Sequence, residues 1–148
     1  MDTNDVILIA EDDQGHFELI KRNLWRSCVD NEIINFRDGQ QVLNFLFMKN
    51  GCMKREPGRG YILLLDIRMP KVDGVEVLKR MKSDSQLCKI PVIMLTTTDD
   101  VLEISRCYDL GCSFYIVKPA DYSRFMEAVE NLGRFISLDG LRLPKIGE

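Results

Sequence analysis

The chain has 148 residues, of which 45% are hydrophobic and 29% are charged, values that are typical of one globular domain. Its net charge of −3 gives no electrostatic reason to bind nucleic acid or an anionic membrane, and no apolar run approaches the roughly 18 residues of a membrane span. The acidic first residues lead straight into an apolar run, so we expect no signal peptide. The five cysteines form no C-x-x-C pair, which favours a reduced, cytoplasmic protein.

Five short apolar runs alternate along the chain with segments in which apolar residues recur at helical spacing. The unbroken run at 62–65 ends in Asp66, which is typical of a strand buried on both faces of a parallel sheet. Such alternation predicts an α/β fold, a doubly wound five-stranded parallel sheet of the flavodoxin-like (βα)5 type with strand order 2-1-3-4-5. The predicted strands lie at 6–10, 33–36, 62–65, 90–95 and 114–117.

The alternation breaks down between residues 48 and 60, where Asn-Gly, Pro-Gly and Gly-Arg-Gly steps occur among lysines and arginines. This composition predicts a mobile, solvated basic loop rather than a binding patch. The last helical pattern stops at Asp139-Gly140. We therefore expect one domain over 1–148, with a core at about 5–138, a short tail at 139–148 and no output domain.

Polar side chains follow four of the five predicted strands: Glu11 and Asp12, then Asp66, Thr96 and Lys118. Because the carboxyl ends of parallel strands meet at one edge of a sheet, we expect these side chains to converge. Two carboxylates about 4 Å apart repel by about 4 kcal/mol at an effective dielectric constant of ~20, so three of them favour a divalent cation, and oxygen ligands suit Mg²⁺. The Lys118 ammonium and the Thr96 hydroxyl add donors for an oxyanion. This set is suited to phosphoryl transfer onto an aspartate.

Four segments around these side chains resemble, in order and spacing, the motifs of the receiver domain of two-component response regulators, the CheY-like family. The resemblance implies that Asp66 accepts a phosphoryl group from a sensor histidine kinase. It also implies that Asp12 binds Mg²⁺ directly, that Glu11 binds it mainly through water, and that the backbone carbonyl of Arg68 is a further ligand. The segments are Ile9-Ala-Glu-Asp-Asp13, Leu65-Asp-Ile-Arg-Met-Pro-Lys-Val-Asp-Gly74, Leu95-Thr-Thr97 and Tyr115-Ile-Val-Lys-Pro119.

The same resemblance implies a signalling switch. Lys118 pairs with the phosphoryl group, Thr96 moves toward it, and Tyr115 turns inward when Thr96 moves. The family also keeps a cis peptide bond before the proline equivalent to Pro119, and it tunes the lifetime of the phosphoryl group at the positions of Arg68 and Thr98. A protein of this kind is a phosphoacceptor that assists its own phosphorylation and dephosphorylation rather than an enzyme with a separate substrate.

The implied partners are a sensor histidine kinase and a downstream protein or second copy, bound through the face of the fourth helix, fifth strand and fifth helix. The long second loop and the segments 106–111 and 135–138 resemble single-domain regulators that accompany phytochrome kinases. The only histidine, His16, is expected on the first helix near the acidic cluster, solvated and without a role.

Three other functions share parts of this pattern. A flavodoxin-type electron carrier has this fold, but the acidic loop at 11–13 would repel the phosphate of FMN. A haloacid-dehalogenase-type phosphatase uses a strand-end aspartate with Mg²⁺, yet it needs a second acid where this chain has Arg68. A receiver-fold scaffold that binds partners without phosphorylation stays open, although the intact acidic cluster disfavours it.

Overall fold

A computed structural model describes residues 1–147 as a parallel β-sheet covered by helices on both faces. Two of its central strands, Val6–Ala10 and Arg59–Leu65, are buried along almost their whole length, as their apolar runs predict. One 3₁₀ turn, Leu87–Lys89, precedes the strand that begins at Val92. The elements are β1 Val6–Ala10, α1 Gln14–Arg26, β2 Ile33–Phe36, α2 Gly39–Leu46, β3 Arg59–Leu65, α3 Gly74–Lys82, β4 Val92–Thr96, α4 Val101–Leu110, β5 Phe114–Val117, α5 Tyr122–Ile136 and β6 Lys145–Ile146.

The five long strands pair in parallel in the order β2-β1-β3-β4-β5, which confirms the predicted fold class and strand order. The register aligns Ala10 at the end of β1 with Leu65 at the end of β3, so both strands reach the carboxyl edge at the same level. On the next pair, Thr96 of β4 lies beside Val117 of β5. Four neighbouring strands therefore deliver the residues that follow them to one place.

Each α-helix begins directly after an aspartate whose side chain accepts a hydrogen bond from a backbone N–H of the first turn. This cap satisfies donors that have no partner within the helix. Four of these helices start at the carboxyl edge within a few residues of a strand end, which keeps the loops there short. The capping residues are Asp13, Asp38, Asp73, Asp100 and Asp121.

The 48–60 segment differs from the expected solvated loop, and the tail, which was expected to lie outside the core, contributes to it. Strand β6 pairs antiparallel with the start of β3, and its Ile146 is fully buried. Arg55 is only 5% exposed; its Nε donates to the carbonyl of Leu46 at 2.9 Å, and its Nη1 donates to the carbonyl of Gly147. The prediction of a mobile solvated loop is thus wrong at Arg55, because its guanidinium satisfies carbonyls at the end of α2 and in the tail.

The tail is also tied to the amino edge of the sheet by charge. Asp5 is completely buried beside the start of β1, and the Lys145 ammonium donates to its Oδ1 at 2.6 Å and to Asp2 Oδ2 at 3.0 Å. The backbone N–H of Asp2 donates to the other oxygen of Asp5 at 2.9 Å.

Within residues 1–147, none of the helices has the length and apolar character needed to cross a membrane.

Candidate functional site

The strand-end residues are held side by side by backbone hydrogen bonds between neighbouring strands. The N–H of Asp66 donates to the carbonyl of Ala10 at 3.1 Å, and the N–H of Lys118 donates to the carbonyl of Thr96 at 2.7 Å. The main chain therefore aligns the ends of β1 with β3 and of β4 with β5. The structure confirms the prediction that the ends of these four strands lie together at one edge of the sheet.

Three carboxylates form a cluster at this edge. Glu11, Asp12 and Asp66 each offer an oxygen, and these oxygens all lie within 4.8 Å of one another. Glu11 is 2% exposed and Asp66 9% exposed, whereas Asp12 faces solvent. Carboxylate oxygens that share a pocket open to water on one side fit a hard divalent cation such as Mg²⁺, which keeps several of its own waters. Arg68 is exposed two residues beyond Asp66, and the role of its carbonyl stays a prediction.

The Lys118 ammonium lies inside the cluster, and its residue is only 5% exposed. It donates to Glu11 Oε1 in a direct contact and reaches Asp66 Oδ2 at 3.4 Å. Its third neighbour is His16 Nδ1, at 3.1 Å. The site thus holds one ammonium and three carboxylates, an excess of negative charge that a bound cation would offset.

Burial raises the pKa of Glu11 to about 7, and the nearby charge of Asp66 adds to this rise. The hydrogen bond and the charge of Lys118 oppose the shift without cancelling it. Loss of hydration on burial therefore outweighs the attraction of the Lys118 ammonium.

The loop between β3 and α3 contacts both the side chain and the main chain of Asp66. Asp66 Oδ1 accepts from the N–H of Ile67 at 2.8 Å, and the N–H of Gly74 donates to the carbonyl of Ile67 at 2.8 Å. A Cβ at Gly74 would lie 2.1 Å from the backbone oxygen of Asp66, a distance that no side chain can adopt. Glycine is thus required where α3 starts against the main chain of Asp66.

Thr96 and Tyr115 are connected through the loop between β4 and α4. Thr96 is fully buried, and the half-buried Tyr115 donates its hydroxyl hydrogen to the carbonyl of Thr98 at 2.7 Å. The N–H of Thr98 approaches the Thr96 hydroxyl at 3.5 Å, the limit of a hydrogen bond. Burial raises the pKa of Tyr115 to about 12. The structure thus joins Tyr115 to the residue two positions after Thr96 rather than to Thr96 itself.

Two details differ from the expectations at this site. The Lys118–Pro119 peptide is trans, so the expected cis bond before Pro119 is wrong; trans is the intrinsically favoured isomer of an X–Pro bond. His16 lies on the first helix near the acidic cluster, as predicted, but it is not fully solvated: its ring contacts Lys118, and the ring centroid lies 5.8 Å from that of Phe125. Its place after the helix cap Asp13 could be read from the sequence, whereas these ring contacts could not.

Comparison with known proteins places these features in a family. A family model described as the response regulator receiver domain matches residues 7–130. The chain is 33% identical over 139 residues to the response regulator Rcp1 of Synechocystis, covering 94% of this chain and 92% of that protein. The Mn²⁺-bound structure of Rcp1 superimposes with a TM-score of 0.86, covering 95% of this chain and 99% of the other, at 31% identity.

Two further solved structures are similar over nearly the whole chain. A response regulator receiver domain from Rhodospirillum rubrum has 42% identity and a TM-score of 0.89, with 97% of this chain and 99% of the other covered. The phosphorylated cyanobacterial phytochrome response regulator RcpA has 32% identity and a TM-score of 0.85, with 96% and 99% covered.

Proposed function

The chain belongs to the response regulator receiver domain family, and from that premise we propose that Asp66 accepts a phosphoryl group from a sensor histidine kinase. The observation that carries this proposal is the position of Asp66 Oδ2. It faces the buried Lys118 ammonium at 3.4 Å within the three-carboxylate cluster, whereas Oδ1 is already engaged by the N–H of Ile67. Oδ2 accepts only the long contact from Lys118, whereas Oδ1 accepts a short backbone hydrogen bond, so we assign Oδ2 as the nucleophile.

In the proposed reaction, Oδ2 attacks the phosphorus of a phosphohistidine on the kinase. The new P–O bond forms as the P–N bond breaks, and the electron pair of that bond stays on the imidazole nitrogen of the kinase. Lys118 and the Thr96 hydroxyl donate to the phosphoryl oxygens as their charge develops. Hydrolysis by water at the same site would return Asp66 to its free form.

Glu11, Asp12, Asp66 and the backbone carbonyl of Arg68 would hold Mg²⁺, whose charge would offset that of the phosphoryl oxygens. Support for a metal comes from the cluster of carboxylate oxygens, which lie within 4.8 Å of one another. The Mn²⁺-bound structure of Rcp1 adds support from a relative. In this proposal Asp12, which faces solvent, contacts the metal directly, and Glu11 binds it through water.

The output of the switch is proposed to be the face of α4, β5 and α5. This face exposes apolar side chains on an edge strand and the helices beside it, and Phe114 of β5 meets Phe135 of α5 edge to face at 6.2 Å. A downstream protein or a second copy of the chain would cover them. The exposed large side chains on these three elements include Leu102, Tyr108, Phe114 and Phe135.

Thr96 and Tyr115 would connect phosphorylation to that face, with Thr96 moving toward the phosphoryl group and Tyr115 turning inward. Thr96→Ala should then still be phosphorylated at Asp66 while transmitting the change poorly. Hydrogen exchange at Tyr115 and Tyr108, with and without beryllofluoride, tests this. Identical responses of wild type and Thr96→Ala would refute the coupling and leave phosphorylation of Asp66 unaffected.

The kinase partner is proposed to be of the phytochrome type, because RcpA is described as a cyanobacterial phytochrome response regulator and resembles this chain over 96% of its length. We place the protein in the cytoplasm, acting as one receiver domain over 1–148, whose core extends beyond the expected 5–138 to Leu143 and Ile146. The phosphoacceptor would assist its own phosphorylation and dephosphorylation and would have no separate substrate.

The decisive experiment is incubation with acetyl phosphate and Mg²⁺, followed by intact mass measurement. Wild type should gain one phosphoryl group, Asp66→Asn should gain none, and Asp139→Asn, a change at a remote aspartate, should behave as wild type. Labelling that persists in Asp66→Asn would refute the assignment. A wild-type protein that stays unlabelled by acetyl phosphate and by a phosphorylated kinase would favour the unphosphorylated scaffold instead.

A further inference from the structure

His16 contacts the phosphorylation site from the first turn of α1. The Lys118 ammonium has three N–H groups and three neighbouring acceptors, Glu11 Oε1, Asp66 Oδ2 and His16 Nδ1. Glu11 and Asp66 are carboxylates of the acidic cluster, whereas His16 offers an uncharged ring nitrogen as acceptor. Each N–H of the ammonium thus has one partner of its own.

The contact defines the state of the His16 ring. An ammonium only donates hydrogen bonds, so Nδ1 must accept, and the ring proton must lie on Nε2. The distance of 3.6 Å from Nδ1 to Glu11 Oε1 is too long for a hydrogen bond, so the ring has no competing partner on that side. The geometry therefore corresponds to one tautomer, with Nδ1 directed at Lys118.

The ring is also held in place from two helices. The backbone N–H of His16 donates to the capping side chain of Asp13 at 3.0 Å, which fixes the main chain at the start of α1. The ring rests on Phe125 of α5 with its plane inclined by 36°. A cavity of about 550 Å³ opens beside it, lined also by Lys118 and Pro119. The side chain of His16, which is 39% exposed, lines this cavity beside Lys118.

From these contacts we propose that His16 is a positioning residue for Lys118, an inference that rests on the proposed phosphorylation of Asp66. By accepting one N–H, His16 directs the other two toward Glu11 and toward Asp66, where a phosphoryl oxygen needs a donor. Lysine has a flexible four-carbon stem, so acceptors rather than the stem define where its ammonium points. Without His16, one N–H turns to water in the cavity and the ammonium loses its orientation.

Two substitutions distinguish a role of His16 as a hydrogen-bond acceptor from a role in filling space. Asparagine has its Oδ1 as many bonds from Cα as Nδ1 is in histidine, so His16→Asn keeps an acceptor near Lys118. His16→Leu keeps a branched side chain of similar reach and removes the acceptor. Phosphorylation by acetyl phosphate at saturating Mg²⁺ is followed by intact mass. A small donor is used because a kinase could contact α1 directly.

His16→Leu should lower the initial rate of phosphorylation about tenfold, the scale set by one hydrogen bond to a charged group, and His16→Asn should stay within about threefold of wild type. Equal rates in all three proteins, or equal losses in both variants, would overturn the role of His16 and leave the phosphorylation of Asp66 standing. An unlabelled wild type would overturn both.

A spectroscopic measurement tests the contact independently of the reaction. Nitrogen-15 NMR of the single histidine at one neutral pH should show the proton on Nε2 and an Nδ1 resonance displaced by an accepted hydrogen bond, and Lys118→Met should remove that displacement. A wild-type ring that carries its proton on Nδ1 would overturn the proposal. So would a ring whose nitrogens respond in the same way with and without Lys118.

Discussion

Replacing Asp12 with asparagine should stabilise the fold in the absence of metal and destabilise it, relative to wild type, in the presence of Mg²⁺. In the metal-free protein, the carboxylate oxygens of Glu11, Asp12 and Asp66 lie within 4.8 Å, where a pair of charges repels by about 3.5 kcal/mol at an effective dielectric constant of ~20. Asp12 faces solvent, so water screens most of this repulsion. We expect Asp12→Asn to stabilise the metal-free fold by about 1 kcal/mol, a rise of about 3 °C in Tm.

Magnesium should change the order of the two proteins. A cation that binds only the folded state stabilises it by about 2.7 kcal/mol at a hundredfold excess over its Kd, so the Tm of wild type should rise by about 8 °C. Asp12→Asn removes the ligand that faces solvent and should lose most of that rise. The variant is therefore expected to be the more stable protein in a chelator and the less stable one in Mg²⁺.

Thermal unfolding followed by circular dichroism, in a chelator and across a Mg²⁺ titration, measures both effects. Asp13→Asn is the matched control, because it removes a charge from the adjacent residue while asparagine keeps the cap of α1. The control should shift with Mg²⁺ as wild type does. The reasoning is refuted if Mg²⁺ raises the Tm of Asp12→Asn as much as that of wild type, or if the variant is the less stable protein without metal.

Three further predictions follow from single contacts. Gly74→Ala should destabilise the fold by about 3 kcal/mol and slow phosphorylation, because its Cβ would lie 2.1 Å from the Asp66 carbonyl oxygen; unchanged urea unfolding would contradict this. Tyr115 should ionise near pH 12, so the stability it adds is complete below pH about 10 and is lost as pH rises through about 12; a tyrosinate absorbance difference against Tyr115→Phe that appears near pH 10 would be evidence against it. Lys145→Met should lower the free energy of unfolding by about 2 kcal/mol. This is less than the loss expected for a fully buried ion pair, because the ammonium is half exposed and Asp5 keeps a backbone donor. A Tm within about 1 °C of wild type would show that Asp5 does not need Lys145.

The parallel sheet and the meeting of the strand-end side chains could be predicted because both follow from local patterns, and the strand order is the usual one for five such units. A strand buried on both faces must be apolar throughout, so a polar residue such as Asp66 marks its end. Strands that alternate with helices are parallel, and their ends share one edge. Glu11, Asp66 and Lys118 could therefore be placed together from the chain order, with no knowledge of any side-chain contact.

The contact between His16 and Lys118 could not be predicted in this way, because it depends on how α1 and α5 pack against each other. The sequence shows only a histidine in a first helical turn, and its ring direction follows from the cap at Asp13 and from the surface of Phe125. A rotation of α1 by one residue would carry the ring away from the ammonium. Only the tertiary structure decides such a contact.

The same limit applies to the 48–60 segment and the tail. Glycine, proline and basic residues indicate a loop, and the composition by itself determines that much. Arg55 becomes buried only because the tail returns along β3 as β6 and presents the carbonyl of Gly147, far away in sequence. Local patterns thus determined the sheet and the residues at its carboxyl edge. The partners of its long, flexible side chains were decided by packing between segments that the sequence keeps apart.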